Sequence, residues 1–310
     1  MNKDFLSIHD LTLYEFHELF DLTRKVKARP DDYRKALKRQ ILAMVFEKPS
    51  LRTRMTFEVG MLELGGEAIY LSPNEIQIGK RETVEDVAHN LERWVDGIMF
   101  RTFGHDNVVR MARAARIPVI NALSDKSHPC QGMADIFTLQ EKKGGLSGLK
   151  LAFVGDGNNV CHSLMLAAAK AGMRMAVATP KGFEPDPDYV RLSLEDGTGT
   201  GYRLQVMNDP RGAADGADAI YTDVWASMGQ ESEKDERARL FAPFQVDAKL
   251  MAAAKPDAVF MHCLPAHRGE EVSAEVFESP ASVVFDQAEN RLHIQKAIML
   301  KLMEKKEKHG

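Results

Sequence analysis

Ile41-Leu-Ala-Met-Val-Phe46, continued by Glu47-Lys-Pro-Ser-Leu-Arg-Thr-Arg54, is an apolar run that breaks into a polar, basic turn. An uninterrupted apolar run of this length suits a central strand covered on both faces. Pro49 and Ser50 end it, and Thr53 to Leu64 resumes with apolar residues at helical spacing. Strand, basic turn and helix thus come in order. The alternation recurs downstream. Ala68-Ile-Tyr-Leu71 reads as a strand, Thr83 to Trp94 as a helix and Gly97-Ile-Met-Phe100 as a strand. Asn107 to Ala115 is then a helix and Val119-Ile120 a strand, while Leu11 to Phe20 upstream, preceded by Asp10, is another helix. Repeated strand–helix alternation predicts α/β architecture with a parallel sheet.

A second series begins after the glycine-rich segment Lys143-Gly-Gly-Leu-Ser-Gly-Leu149, which succeeds a helix expected over about Gln131 to Lys142. Its strands are Leu151-Ala-Phe-Val154, Met175-Ala-Val-Ala178, Ala219-Ile-Tyr221, Ala258-Val-Phe-Met261 and Val283-Val-Phe285. The polar tract Leu194 to Tyr202 reads as a surface loop or strand edge, and a final helix as about Arg291 to Lys305. The expected organisation is a first domain over 1–142, a second over 143–290, and a C-terminal helix over 291–310 packing back on the first. Each domain carries a parallel sheet flanked by helices. Ligands gather outside the carboxyl ends of parallel strands, so the active site is expected in the interdomain cleft.

Bulk properties narrow the function. The chain has 310 residues and 41 Lys+Arg against 45 Asp+Glu, for a net charge of −4. That balance gives no general attraction to nucleic acid or anionic lipid, so an anionic ligand needs a local cluster of donors. Cys130, Cys161 and Cys263 make no disulfide framework and fit a reducing compartment. Met1 to Asp10 has no apolar signal-peptide core, and no run is long enough to span a bilayer; the expectation is cytoplasmic.

The turn after the first strand offers such a cluster. Ser50 and Thr53 bring hydroxyls, Arg52 a fixed fork of donors, and the first helical turn its unsatisfied amides, all suited to a phosphate dianion. No Gly-x-x-x-x-Gly-Lys-Ser/Thr element is present, which excludes a P-loop. Ser50 equally suits a helix cap, and Arg54 suits an ion pair with Glu58 one turn on. Arg101 comes after a strand, and His128 and Gln131 stand at a helix start. They are placed to meet a carbonyl oxygen and an amide of one small ligand.

Asp223-Val-Trp-Ala-Ser-Met-Gly229 comes after another strand, and its Asp223 suits an ammonium group. Cys263 lies at a further strand end in Phe260-Met-His-Cys-Leu-Pro265. Adjacent His262 and Cys263 on an extended chain point oppositely, which argues against a metal pair. Val154-Gly-Asp-Gly157 lacks the third glycine of the dinucleotide pattern, which argues against a Rossmann oxidoreductase.

Ser50-Leu-Arg-Thr-Arg54, Phe100-Arg-Thr102, His128-Pro-Cys-Gln131, Asp223 to Gly229 and His262-Cys-Leu-Pro265 occur in the order found in the aspartate/ornithine carbamoyltransferase family. The chain resembles that family's ornithine-specific branch over essentially its whole length. The resemblance implies transfer of the carbamoyl group of carbamoyl phosphate to the δ-amine of L-ornithine. Citrulline and phosphate are the products, within arginine biosynthesis. It implies carbamoyl-phosphate contacts from Ser50, Leu51, Arg52, Thr53, Arg101, His128, Pro129, Cys130, Gln131, Cys263, Leu264 and Arg291. It adds Gln77, reaching across a subunit boundary, and ornithine contacts from Asn159, Asp223, Ser227 and Met228. Arg52, Arg101, His128 and Cys263 are the implied catalytic residues. Neither metal nor organic cofactor is implied, and the implied assembly is a homotrimer or a multiple of trimers. Leu51 stands where the family usually has Thr, so only the backbone amide can serve there.

Aspartate, N-acetylornithine and putrescine are rival acceptors. Asp223 argues against aspartate, whose second carboxylate would need a cationic pocket. A non-catalytic sensor on the same scaffold is the rival from another class; intact residues for both substrates argue against it.

Overall fold

The computed structural model describes residues 1–226 and 233–304. Chain contacts divide it into two compact units: Met1–Cys130 together with the chain from Glu289 onward, and Gln131–Ala288.

The first unit is built on β1 (Ile41–Phe46), β2 (Glu67–Leu71), β3 (Gly97–Arg101) and β4 (Val119–Leu123). All neighbours are parallel, in the order β2-β1-β3-β4. Leu42 to Phe46 are buried, as expected of a strand enclosed on both faces. Around the sheet run α1 (Leu13–Ala28), α2 (Leu51–Glu63), α3 (Pro73–Ile76), α4 (Val84–Leu91) and α5 (His105–Ala114). A capping box of Thr12 and Glu15 starts α1, and the Ser50 and Thr83 hydroxyls cap α2 and α4.

Helix α6 (Pro129–Lys143) carries the chain into the second unit. There β5 (Lys150–Val154), β6 (Arg174–Ala178), β7 (Arg203–Met207), β8 (Ala219–Thr222) and β9 (Val259–His262) form a parallel sheet in the order β7-β6-β5-β8-β9. Its helices are α7 (Asn159–Lys170), α8 (Pro187–Asp196), α9 (Pro210–Ala214), α10 (Lys234–Phe241), α11 (Ala248–Met251) and α12 (Ala274–Phe277). The last helix, α13 (Val284–Met303), starts in the second unit and ends in the first. Two parallel-sheet units flanked by helices agree with the expected fold class.

The structure corrects three readings. Val283-Val-Phe285 is no strand. Phe260 N–H donates to Ala281 O and Val283 N–H to Phe260 O, and α13 begins at the next residue. A three-residue apolar run does not distinguish strand from helix by periodicity. β7 adds a strand that the apolar runs do not reveal. It lies at the sheet edge, its residues are all exposed or half-buried, and it needs no apolar run. Within Leu194 to Tyr202, α8 continues to Asp196 before the turns begin.

Candidate active site

In both sheets the strand order reverses once, between β1 and β3 and between β5 and β8. Each reversal splays the outgoing connections apart and leaves a crevice at the strand ends.

In the first unit, Phe46 and Arg101 end their strands in register, and Glu47 N–H donates to Arg101 O at 2.8 Å. The Glu47 carboxylate accepts from the Thr102 hydroxyl and from Phe103 N–H, fixing the turn that carries Lys48. Ser50 Oγ accepts from Thr53 N–H at 3.2 Å, so the hydroxyl caps α2. Arg54 pairs with Glu58 at 3.3 Å and lies 4.0 Å over the Tyr70 ring, a structural setting for that arginine. Arg291 donates to Thr53 Oγ1 at 2.9 Å. Arg101, His128 and Arg291 are buried, and Arg52 is half-buried.

The electrostatics have one sign. Burial holds His128 well below the usual imidazole range, and Arg291, Arg101, Lys48 and Arg52 each push it lower. Burial, then Arg101, lowers Lys48 to about 8. Four cations crowding a neutral imidazole repel one another, and a dianion among them would offset that repulsion. Lys48, whose Nζ sits 4.8 Å from the Phe103 ring centre, is a member of the cluster that neither residue type nor resemblance singles out. A signal for it does exist in the sequence, since the lysine lies inside the basic turn itself.

Pro129 and Cys130 open α6. The Cys130 thiol is buried, donates toward Asn121 O at 3.7 Å and is pushed up to about 12 by desolvation, which suits a packing role for the side chain. Leu51 is 73% exposed. Gln77 comes directly after α3 with a left-handed backbone, φ 46°, and is exposed.

In the second unit, Asp223 comes directly after β8 and Cys263 directly after β9. Cys263 Sγ donates to Asp223 Oδ1 at 3.0 Å, and Val224 N–H donates to the same oxygen at 2.8 Å. Asn158 Nδ2 donates to Asp223 Oδ2 at 2.8 Å while its own oxygen caps α7 through Val160 and Cys161 N–H. Asn158 is a partner of Asp223 that neither residue type nor resemblance singles out. Asn159 is the first residue of α7, and its carbonyl accepts from Ser163 Oγ at 3.0 Å. Asp156 is pushed up to about 6 by burial against the lowering influence of Arg237, which donates to it. Ser227 and Met228 lie outside the described residues.

His262 Nδ1 accepts from Leu264 N–H at 2.8 Å, which leaves the ring proton on Nε2 for Glu271 Oε1 at 3.1 Å. Donor atoms of Asp223, His262 and Cys263 lie within 4.8 Å of one another. Both His262 nitrogens are already engaged, so the trio does not fit a metal ion. Leu264 has φ 61°, a left-handed conformation costing about 1–2 kcal/mol in a residue with a side chain. The Leu264 N–H bond to His262 ties that conformation down.

Residues 3–141 match the family model described as aspartate/ornithine carbamoyltransferase, carbamoyl-P binding domain, and residues 147–302 match the Asp/Orn binding domain of the same family. An ornithine carbamoyltransferase of Thermococcus kodakarensis is 50% identical over 303 residues, covering 97% of this chain and 96% of that protein. One from Carboxydothermus hydrogenoformans is 52% identical, covering 97% of each. The solved structure of ornithine carbamoyltransferase from Pyrococcus furiosus superposes with a TM-score of 0.94 at 49% identity, over 97% of this chain and 96% of that one. Matches over both units, in order and nearly end to end, agree with the paired crevices and their residues: the chain belongs to the aspartate/ornithine carbamoyltransferase family.

Proposed function

We propose that the chain transfers the carbamoyl group of carbamoyl phosphate to the δ-amine of L-ornithine, giving L-citrulline and phosphate, and serves arginine biosynthesis. The observation that carries the reading is the convergence of Arg291, Arg101, Lys48 and Arg52 on a buried, neutral His128. The relatives at about half identity supply the acceptor by their names.

Ornithine's side-chain amine resembles lysine, with a pKa of about 10.4, so roughly one molecule in 2,500 is neutral at pH 7. That fraction is equivalent to about 4.6 kcal/mol. The cations that hold the donor favour the neutral amine, and Asp223 with Cys263 orients it toward the carbonyl. As nitrogen attacks, charge develops on the carbonyl oxygen. His128 and Arg101 supply donors to that oxygen. Arg52, Thr53, Arg291 and the first amides of α2, including that of Leu51, stabilise the departing phosphate. Gln131 meets the carbamoyl amide, with backbone groups of Pro129, Cys130 and Leu264 nearby in the same role. Ser50, Gln77, Asn159, Ser227 and Met228 enter by resemblance, the last three on the ornithine side.

We assign a homotrimer or a multiple of it. Ile69 and Trp94, 47% and 68% exposed, line an apolar pocket of about 370 Å³ in the first unit, a surface suited to association. Among the described residues no helix is long and apolar enough to cross a membrane, and three cysteines without a disulfide fit the cytoplasm.

A citrulline-forming assay with ornithine, N-acetylornithine, putrescine and aspartate tests the reading. Turnover is expected with ornithine alone at a useful rate. Absence of citrulline from ornithine, or a preference for another amine, would overturn it.

A further inference from the structure

Asp135 stands one turn after Gln131 on α6 and is fully buried. Its Oδ1 accepts from Gln131 Nε2 at 2.7 Å and from Gln287 Nε2 at 2.6 Å, and its Oδ2 accepts from the Tyr221 hydroxyl at 3.1 Å. Burial, reinforced by the charge of Asp135, holds Tyr221 well above the usual phenol range, so the hydroxyl keeps its proton and donates. Gln287 turns its own oxygen the other way, where it accepts from His262 N–H at 3.0 Å.

An ionised carboxylate only accepts, so it decides which end of each amide faces it. Asp135 takes the NH2 of Gln131, and the Gln131 oxygen must point away. Gln131 is 1% exposed, and its Oε1 has no hydrogen-bond partner among the described residues. A buried carbonyl oxygen without a donor is costly, and a ligand N–H would relieve it. Carbamoyl phosphate carries one donor group, its amino group. Acetyl phosphate has the same shape with a methyl group in that place.

We propose that Asp135 is a positioning residue: it locks the Gln131 amide with its oxygen toward the carbamoyl amino group, and so makes the chain select carbamoyl over acetyl donors. This rests on the carbamoyltransferase reading. Without the carboxylate, the Gln131 amide is free to rotate half a turn and present NH2 to NH2. A site built around one hydrogen bond rejects the analogue that lacks it far more strongly than an apolar pocket does.

Two stable phosphonates isolate the effect. Phosphonoacetamide and acetonylphosphonate differ only in NH2 against CH3, and calorimetry gives both dissociation constants. Wild type is expected to prefer the amide at least tenfold. Asp135→Leu, which keeps the volume and removes both acceptor oxygens, is expected to bring the ratio to within about twofold of unity, with acetonylphosphonate affinity held within about threefold. Tyr221→Phe removes the donor on Oδ2, keeps the Gln131 bond and should keep the wild-type ratio. A merely structural role for Asp135 would weaken both ligands together and leave the ratio unchanged, which would overturn the proposal. So would loss of the ratio in Tyr221→Phe. If Asp135→Leu does not fold, wild type alone still decides: equal binding of the two phosphonates overturns the proposal. Failure of wild type to bind either one would overturn the donor-site reading itself.

Discussion

The Cys263 thiol and the Asp223 carboxylate share a 3.0 Å hydrogen bond, with the sulfur donating. Asp223 is 5% exposed, and its other oxygen is held by Asn158, so the carboxylate is fixed at both ends. A fixed anion at a strand end is a preset position for an ammonium or an amine.

Asp223→Asn keeps the shape and removes the charge. The KM for ornithine, measured at saturating carbamoyl phosphate, should rise at least tenfold, about 1.4 kcal/mol of binding. An unaltered KM would remove Asp223 from the acceptor site.

Arg52 is half-buried in the first turn of α2, so its side chain is not part of the core. Arg52→Ala should weaken carbamoyl phosphate at least tenfold by calorimetry, again about 1.4 kcal/mol. The thermal midpoint should move by only a few degrees. Unchanged donor affinity would take Arg52 out of the mechanism.

Lys48 gives a pH signature whose sign is set by its lowered pKa of about 8. The ammonium is charged below that value and loses its proton as pH rises through it. Attraction for a phosphate dianion is therefore complete on the acid side and fades on the alkaline side. KM for carbamoyl phosphate should climb above about pH 8, and Lys48→Met should flatten that limb while raising KM at pH 7. The neutral fraction of ornithine grows about tenfold per pH unit over the same range, so kcat/KM for ornithine should rise where donor affinity falls. A donor KM independent of pH from 7 to 9 would contradict the role given to Lys48.

Gly157 allows a close approach of two backbone segments. A Cβ there would stand 2.3 Å from Pro185 N and 2.5 Å from Glu184 C, and backbone cannot step aside as a side-chain tip can. Gly157→Ala should lower unfolding free energy by about 1–3 kcal/mol in urea titration. It should also raise the ornithine KM, because Asn158 is the next residue. Wild-type values for both would show that the segments part at no cost.

The sheets are legible because buried parallel strands write themselves as apolar runs: Ile41 to Phe46 and Leu151 to Val154 need no tertiary information. β7 is not, since an edge strand such as Arg203–Met207 is stabilised by ladder bonds that leave no apolar signature. On the donor side, the basic turn and Arg101 can be read from residue type at strand ends, whereas Arg291, on α13, enters by resemblance alone. On the acceptor side, the bond from Asn158 to Asp223 is not legible, because residue type does not say which way an asparagine side chain turns. The Asp135 network is invisible in the sequence for a related reason. Gln131, Tyr221 and Gln287 are spread along the chain, and nothing in their spacing says that one carboxylate gathers them.

Helix α13 has a consequence for synthesis on the ribosome. Lys296 reaches Glu63 at 2.5 Å, Arg291 reaches Thr53, and a Cβ on Gly60 would strike Met299, so the early sheet is finished by late residues. The stretch from Gln131 to Ala288 is contiguous and emerges whole. At about 5–20 residues per second, residues up to Cys130 wait roughly 8–30 s for Glu289 and the remainder of α13. During that interval the nascent chain carries an unfinished apolar surface around Gly60 and Gly97, the place where a chaperone would be expected to hold it.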